Sequence, residues 1–118
     1  MENKRKALII GATGLVGNEL LHRLLDCDVY DKVTALVRRP TGISDSKLHE
    51  IVINFDEMGL VVDEFAVDDV FCCLGTTSKK AGSQEAFRKV DYDYPLKAAE
   101  LAKSKGASQY LVVSAVGA

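Results

Sequence analysis

Hydrophobic positions along the chain fall into short continuous runs, and each run is bounded by polar or turn-forming residues. Five such runs occur, at residues 7–10, 33–37, 50–54, 69–74 and 110–114. Runs of this length, rich in Val, Ile and Leu, are typical of strands buried on both faces of a parallel sheet. The pattern therefore predicts five strands.

Between some of these runs the apolar residues change to helical spacing. Leucines at positions 20, 21, 24 and 25 share one side of a helix that starts near Leu15. A second helix is predicted from Ser83 toward Lys105, with Gly106 as its stop. Pro95 interrupts this pattern and predicts a kink or a restart at residues 90–94. Residues 60–66 predict either a short helix or an irregular crossover.

The order strand, helix, strand, strand, strand, helix, strand, with long crossovers, predicts an α/β fold with a parallel sheet. The 118 residues correspond to a single domain. A strand that ends four residues before Ala118 would normally lead into a covering helix, so the domain is expected to be truncated after its fifth strand.

Charge and composition restrict the partners. With 15 basic and 17 acidic residues the net charge is −2, which argues against nucleic acid and anionic membrane as partners. No apolar run is long enough to span a bilayer or to form a signal peptide. Three cysteines without ligand spacing predict a reducing, cytoplasmic setting, and two distant histidines predict no metal site.

A glycine-rich turn lies directly between the first strand and the first helix. Its sequence is Gly11-Ala12-Thr13-Gly14-Leu15-Val16-Gly17. In this position Gly11 permits a tight turn, Gly14 lets the backbone approach a pyrophosphate, and Gly17 lets the helix pack closely. The spacing is one residue longer than that of the common dinucleotide fingerprint, and a turn used only for packing is the alternative.

Two arginines, Arg38 and Arg39, follow the second strand, where an NAD-binding protein is expected to carry an acid for the ribose hydroxyl. Guanidinium groups there suit the 2′-phosphate of NADP through charge-assisted hydrogen bonds. NADP is therefore favoured over NAD as the cofactor. The alternative is a solvated pair that contacts nearby carboxylates.

Further candidates follow the third and fourth strands. Phe55 and Asp56 suit an adenine, through the ring face and the carboxylate, or else form a core phenylalanine beside a surface acid. The turn Leu74-Gly75-Thr76-Thr77 lies at the carboxyl end of a strand, where ligands collect in open α/β sheets, although a plain turn is the alternative.

These motifs together resemble the short-chain dehydrogenase/reductase superfamily, in particular its atypical NAD(P)-binding members similar to the Tat-interacting-protein-like oxidoreductases. The resemblance rests on the glycine turn, on Leu36-Val37-Arg38-Arg39, on Cys72-Cys73-Leu74-Gly75-Thr76-Thr77 and on residues 87–102. It implies a Rossmann-like three-layer fold with strand order 3-2-1-4-5 and NADPH as cofactor. It also places Asp91 where relatives often carry an asparagine, and Ser114 beside the cofactor or simply at a strand end.

The resemblance also implies a catalytic Tyr-x-x-x-Lys pair beyond the fifth strand, which this chain does not contain. Tyr94 and Lys97 are only three residues apart and precede that strand. We therefore expect an NADPH-dependent oxidoreductase of which this chain is the cofactor-binding part, inactive by itself and with an unknown small-molecule substrate. A non-catalytic NADPH-binding regulatory or scaffold protein is the alternative. An apolar patch left by missing helices would favour a homo-oligomer.

Overall fold

The computed structural model describes residues 4–74 and 93–113. Five parallel strands form one sheet in the order β3-β2-β1-β4-β5. The strands are β1 (Arg5–Ile10), β2 (Tyr30–Val37), β3 (Leu48–Val52), β4 (Asp69–Cys72) and β5 (Gln109–Val112). The predicted α/β fold and its strand order are confirmed.

Helical elements cover both faces of the sheet. Helix α1 (Leu15–Asp26) packs on one face, and a 3₁₀ segment (Phe55–Phe65) and helix α2 (Tyr94–Ser104) pack on the other. The result is the three-layer arrangement expected of a Rossmann-like fold. No helix within residues 4–74 and 93–113 is long and apolar enough to cross a membrane.

A hydrophobic core lies on each face of the sheet, and the side chains of the central strand β1 point alternately into one and the other. Ile9 and Ala7 pack against the leucines of α1, whereas Leu8 and Ile10 pack against the 3₁₀ segment and α2. All four are fully buried because β1 has a hydrogen-bonded strand on each side and helices above and below. This burial explains why the run is continuously apolar rather than alternating.

Strand β3 begins and ends two residues earlier than the apolar run predicts. The chain leaves the sheet after Ile53, whose amide still bonds to the Val37 carbonyl, and Asn54 then caps the 3₁₀ segment, its side chain accepting a hydrogen bond from the Asp56 amide at 2.9 Å. Asn54 is a helix-cap residue, and the sequence interpretation wrongly assigned it to the strand. The segment that it starts begins five residues before, and ends one residue before, the short helix or irregular crossover expected at residues 60–66.

Helix α2 begins at Tyr94 and carries Pro95 in its first turn, where a proline costs no hydrogen bond. The predicted start of this helix at Ser83 lies outside the described residues. At its other end Gly106, with φ of 78°, stops the helix as expected.

Candidate functional site

The glycine turn lies between the carboxyl ends of β2 and β4. The Gly11 amide donates to the carbonyl oxygen of Leu36 at 3.3 Å, which ties the turn to the end of β2. On the other side, a Cβ added to Gly11 would lie 2.9 Å from Cδ2 of Leu74. Gly11 also has a φ of 86°, so both its conformation and its surroundings require glycine.

Gly17 allows helix α1 to pack against this turn. A Cβ at Gly17 would lie only 2.1 Å from the carbonyl oxygen of Gly11, a distance that atoms cannot adopt. The packing partner is the turn's own backbone, and the fully buried Ala12 lies beside it. Gly11 and Gly17 therefore have structural reasons to be glycine.

The described residues give no such reason for Gly14. Among their atoms, a Cβ there would meet nothing closer than the Gly11 oxygen at 4.0 Å, and the backbone φ of −76° suits any residue. The open space in front of Gly14 fits a group that needs to approach the backbone closely. This is the position where the sequence predicts a pyrophosphate.

The amino end of α1 exposes amide groups toward this space. Gly14 is the N-cap, no described side chain caps the helix, and its first turn contains no acidic residue. The first helical hydrogen bond joins the Asn18 amide to the Gly14 carbonyl at 2.8 Å, so the preceding amides have no partner within the helix. Thr13 is exposed, and Leu15 is 90% exposed beside it. Val16 is half-buried.

Arg38 and Arg39 leave the end of β2 next to the glycine turn, and both are exposed. Their strand carries the Leu36 carbonyl that accepts from Gly11. The structure therefore brings the arginines and the glycine turn to the same edge of the sheet. A dinucleotide whose pyrophosphate lay at α1 would have its adenosine ribose on this side.

Asp56 and Tyr94 lie on the same edge. The Tyr94 hydroxyl donates to Oδ1 of Asp56 at 2.9 Å, and the Tyr94 ring meets Phe55 edge-on at 5.8 Å. Burial and the Asp56 hydrogen bond raise the pKa of Tyr94 to about 12, although the nearby Arg38 opposes this change. Tyr94 was missed as a site residue. The three-residue spacing between Tyr94 and Lys97 was used only to reject a catalytic pair. No sequence pattern indicates that Tyr94 contacts Asp56, which lies 38 residues earlier.

The ring of Phe55 is part of the core, with only 4% of its surface exposed. For Phe55 the alternative interpretation, a core phenylalanine whose ring face is not available to an adenine, describes this position, whereas Asp56 beside it is exposed. Leu74 packs partly against the core and borders Gly11. The other predicted site residues, Gly75, Thr76, Thr77, Asp91 and Ser114, lie outside the described residues.

A second residue that sequence reasoning missed is Glu50 on β3. Its Oε1 atom accepts hydrogen bonds from the hydroxyl and the amide of Thr41, which follows the two arginines by two residues. A carboxylate inside a short strand that also contains Leu48, Ile51 and Val52 is the signal that points to it.

Comparison with known proteins connects this geometry to a family. The model of the NAD dependent epimerase/dehydratase family matches residues 7–118. A rat (Rattus norvegicus) protein named HTATIP2 is 38% identical over 122 residues, which cover 100% of this chain and 50% of that protein. The protein FMP52, mitochondrial, of Eremothecium gossypii is 38% identical over 112 residues, 95% of this chain and 50% of its own length. The chain thus spans about half the length of these relatives.

A solved structure of a short-chain dehydrogenase/reductase superfamily protein from Agrobacterium tumefaciens, with bound NAD, superimposes with a TM-score of 0.74. It is 18% identical, and the match covers 91% of this chain and 31% of that one. This likeness supports the fold. Together with the family match and the HTATIP2 relative, it confirms the predicted resemblance to the short-chain dehydrogenase/reductases.

The predicted cytoplasmic location is wrong. The yeast relatives from Eremothecium gossypii and Saccharomyces cerevisiae are both named as mitochondrial proteins. The prediction rested on unpaired cysteines, which indicate only that the surroundings are reducing. A reducing environment does not specify the compartment.

Proposed function

Because the chain belongs to the NAD dependent epimerase/dehydratase family, we propose that its glycine turn binds the pyrophosphate of a nicotinamide dinucleotide, with NADPH preferred. We further propose that the whole protein is an oxidoreductase. The coenzyme would supply or accept hydride, and the substrate would be a carbonyl or alcohol compound. The residues described above would bind and orient the coenzyme.

The observation that carries the proposal is the contrast among the three glycines of the turn. Gly11 and Gly17 are required by backbone conformation and by contacts below 3 Å, whereas nothing within residues 4–74 and 93–113 requires Gly14 to be glycine. Gly14 borders the uncapped amino end of α1. A helix terminus whose first amides have no partner within the helix, together with the positive end of the helix dipole, is suited to an anionic group, and the missing side chain lets that group reach the backbone.

Selectivity for NADPH is proposed for Arg38 and Arg39. They lie at the end of the strand that borders the turn, on the side where the adenosine ribose of the dinucleotide would lie. Two exposed guanidinium groups attract the 2′-phosphate of NADPH and repel no group of NADH. The preference therefore comes from a higher affinity for NADPH and not from a lower affinity for NADH. Asp56, held by Tyr94, is proposed to face the adenine.

A non-catalytic NADPH-binding role is the second candidate. It is favoured by the described residues of the site, the glycine turn and the two exposed arginines, which are suited to binding a coenzyme. Both candidates expect the chain by itself to bind NADPH without oxidising it in the presence of carbonyl compounds. NADPH oxidation by the whole protein would contradict the non-catalytic role.

Titration calorimetry with NADPH and NADH tests the binding proposal. Gly14→Ala is expected to weaken both coenzymes about tenfold or more, because the added methyl group would occupy the space needed for the pyrophosphate. Gly59→Ala is the matched control, since the one described atom within 4 Å of a Cβ at Gly59 would be Lys97 Cε at 3.8 Å. Both variants should unfold at the wild-type temperature. Failure of the wild-type chain to bind either coenzyme would refute the proposal.

A further inference from the structure

The connection from β2 to β3 carries the two arginines, and it is fixed at a point just beyond them. Thr41 donates to Oε1 of Glu50 twice, from its hydroxyl at 2.5 Å and from its amide at 3.2 Å. The same hydroxyl oxygen accepts from the Ile43 amide at 3.2 Å. Both Thr41 and Glu50 are half-buried, so these bonds are partly shielded from water.

A second fixed point lies immediately before the arginines. The Val37 carbonyl oxygen accepts from the Ile53 amide at 2.9 Å, which continues the ladder between β2 and β3 to the last residue of β2. Only Arg38, Arg39 and Pro40 lie between this bond and Thr41. The proline ring restricts one of the remaining backbone angles. The direction in which the arginines leave the strand is therefore set by two anchors.

Glu50 is placed for this contact by the sheet. In the register of β2 and β3 it lies opposite Ala35, whose side chain packs on the α1 face of the sheet. The half-buried carboxylate is thus on the same face as the chain that turns back after Pro40. Both of its hydrogen bonds within residues 4–74 and 93–113 come from Thr41.

We propose that Glu50 is a positioning residue for coenzyme selection, acting through Thr41 on Arg38 and Arg39. The inference rests on the proposed binding of NADPH at this edge of the sheet. Preorganised guanidinium groups lose less conformational freedom when they bind a phosphate, so the anchor strengthens recognition of the 2′-phosphate. NADH has no such phosphate, and its affinity does not depend on the anchor.

The test compares the dissociation constants of NADPH and NADH for the wild-type chain and for Glu50→Ala, Glu50→Gln and Thr41→Val. Glu50→Ala is expected to reduce the NADPH preference about three- to tenfold, with NADH affinity unchanged. Thr41→Val, which lacks the hydroxyl, should act in the same direction. Glu50→Gln keeps an acceptor oxygen for Thr41 and should retain the wild-type preference. Glu100→Gln on the exposed side of α2 is the matched control.

A charge effect or a purely structural role of Glu50 would give different results. If Glu50 acted by its charge, both Glu50→Gln and Glu50→Ala would raise NADPH affinity, because a carboxylate near a phosphate is repulsive. If Glu50 were needed only for folding, its loss would weaken both coenzymes equally. Either result, or an unchanged preference in Glu50→Ala, would overturn the proposal. Should Glu50→Ala fail to fold, Thr41→Val and Glu50→Gln give the same comparison.

The outcome also separates this inference from the function on which it rests. A wild-type chain that binds neither coenzyme, or binds both equally, would refute the proposed NADPH function together with this inference. A wild-type preference that is lost in Arg38→Ala with Arg39→Ala but kept in Glu50→Ala would refute only the role of Glu50.

Discussion

Arg5 and Asp69 face each other at the amino ends of the neighbouring strands β1 and β4. The guanidinium donates twice to the carboxylate, from Nη2 to Oδ1 at 2.7 Å and from Nε to Oδ2 at 3.0 Å. Tyr30 on β2 donates to the same carboxylate at 2.5 Å. One nearly buried carboxylate thus joins three strands at the end of the sheet opposite the candidate site.

This carboxylate predicts a dependence of stability on pH. Its hydrogen bonds with Arg5 and Tyr30 hold the pKa of Asp69 below the ordinary value, although burial opposes them. The folded state therefore keeps the carboxylate ionised at a pH where the unfolded chain binds a proton. The stabilisation is fully present above about pH 4 and is lost as the pH falls through the lower folded pKa.

Asp69→Asn tests this dependence by urea unfolding between pH 3 and pH 7. At pH 7 the variant is expected to lose about 1 to 3 kcal/mol, because the Arg5 guanidinium and the Tyr30 hydroxyl lose a charged acceptor. The difference from wild type should shrink below pH 4. Asp26→Asn, on the exposed end of α1, serves as the control. A difference that stays constant over this pH range would contradict the assignment.

Gly17→Ala is expected to destabilise the fold. Its methyl group would overlap the Gly11 carbonyl oxygen, so α1 must move away from the turn, at a cost of about 1 to 3 kcal/mol. Thermal unfolding without coenzyme measures the effect. Gly14→Ala, three residues away in the same turn, is the matched control and should unfold as wild type does. Equal stability of the two variants would show that the packing requirement at Gly17 is incorrect.

The double variant Arg38→Ala with Arg39→Ala is expected to bind NADPH about tenfold or more weakly while its affinity for NADH stays unchanged. The reason is the loss of the groups proposed to pair with the 2′-phosphate. Dissociation constants from calorimetry provide the measurement. Lys32→Ala, a basic residue near the other end of the same strand, should leave both affinities unchanged. An unaltered ratio in the double variant would remove the arginines from coenzyme selection.

Cys72 and Cys73 are expected to resist alkylation in the folded protein. Burial raises the pKa of both thiols, that of Cys73 to about 11. Because the thiolate is the reactive form, iodoacetamide should label Cys73 appreciably only as the pH approaches that value. Mass spectrometry of peptides after labelling at pH 7.5, with and without denaturant, checks this expectation. Labelling of the folded chain as fast as the denatured one would contradict it.

Continuous apolar runs predicted β1, β2 and β4 well, because these strands are largely buried and have no polar side to interrupt the run. The edge strands β3 and β5 are only partly buried. The order of β1 to β5 followed once the family resemblance was added. The ends of elements were less predictable. Asn54 illustrates the reason, since its side-chain bond to the Asp56 amide, which starts the segment after β3, depends on geometry that apolar spacing does not contain.

The site was predictable where it is local in sequence. The glycine turn and the arginines lie at the ends of adjacent strands, and their roles were inferred from position alone. Tyr94 and Glu50 were missed because their partners, Asp56 and Thr41, are 38 and 9 residues away. Only the parallel sheet brings such residues together. The different surroundings of Gly14 and Gly17 likewise could be distinguished only from contact distances.

The central position of β1 has a consequence for synthesis on the ribosome. This strand is translated before every strand that it pairs with, and β4 emerges only after β2, β3 and the 3₁₀ segment. Until then one hydrogen-bonding edge of β1 and much of its apolar surface have no native partner in the nascent chain. Such surfaces bind chaperones or aggregate. Translational pausing before Asp69 would prolong that exposure, whereas pausing after β4 has emerged would not.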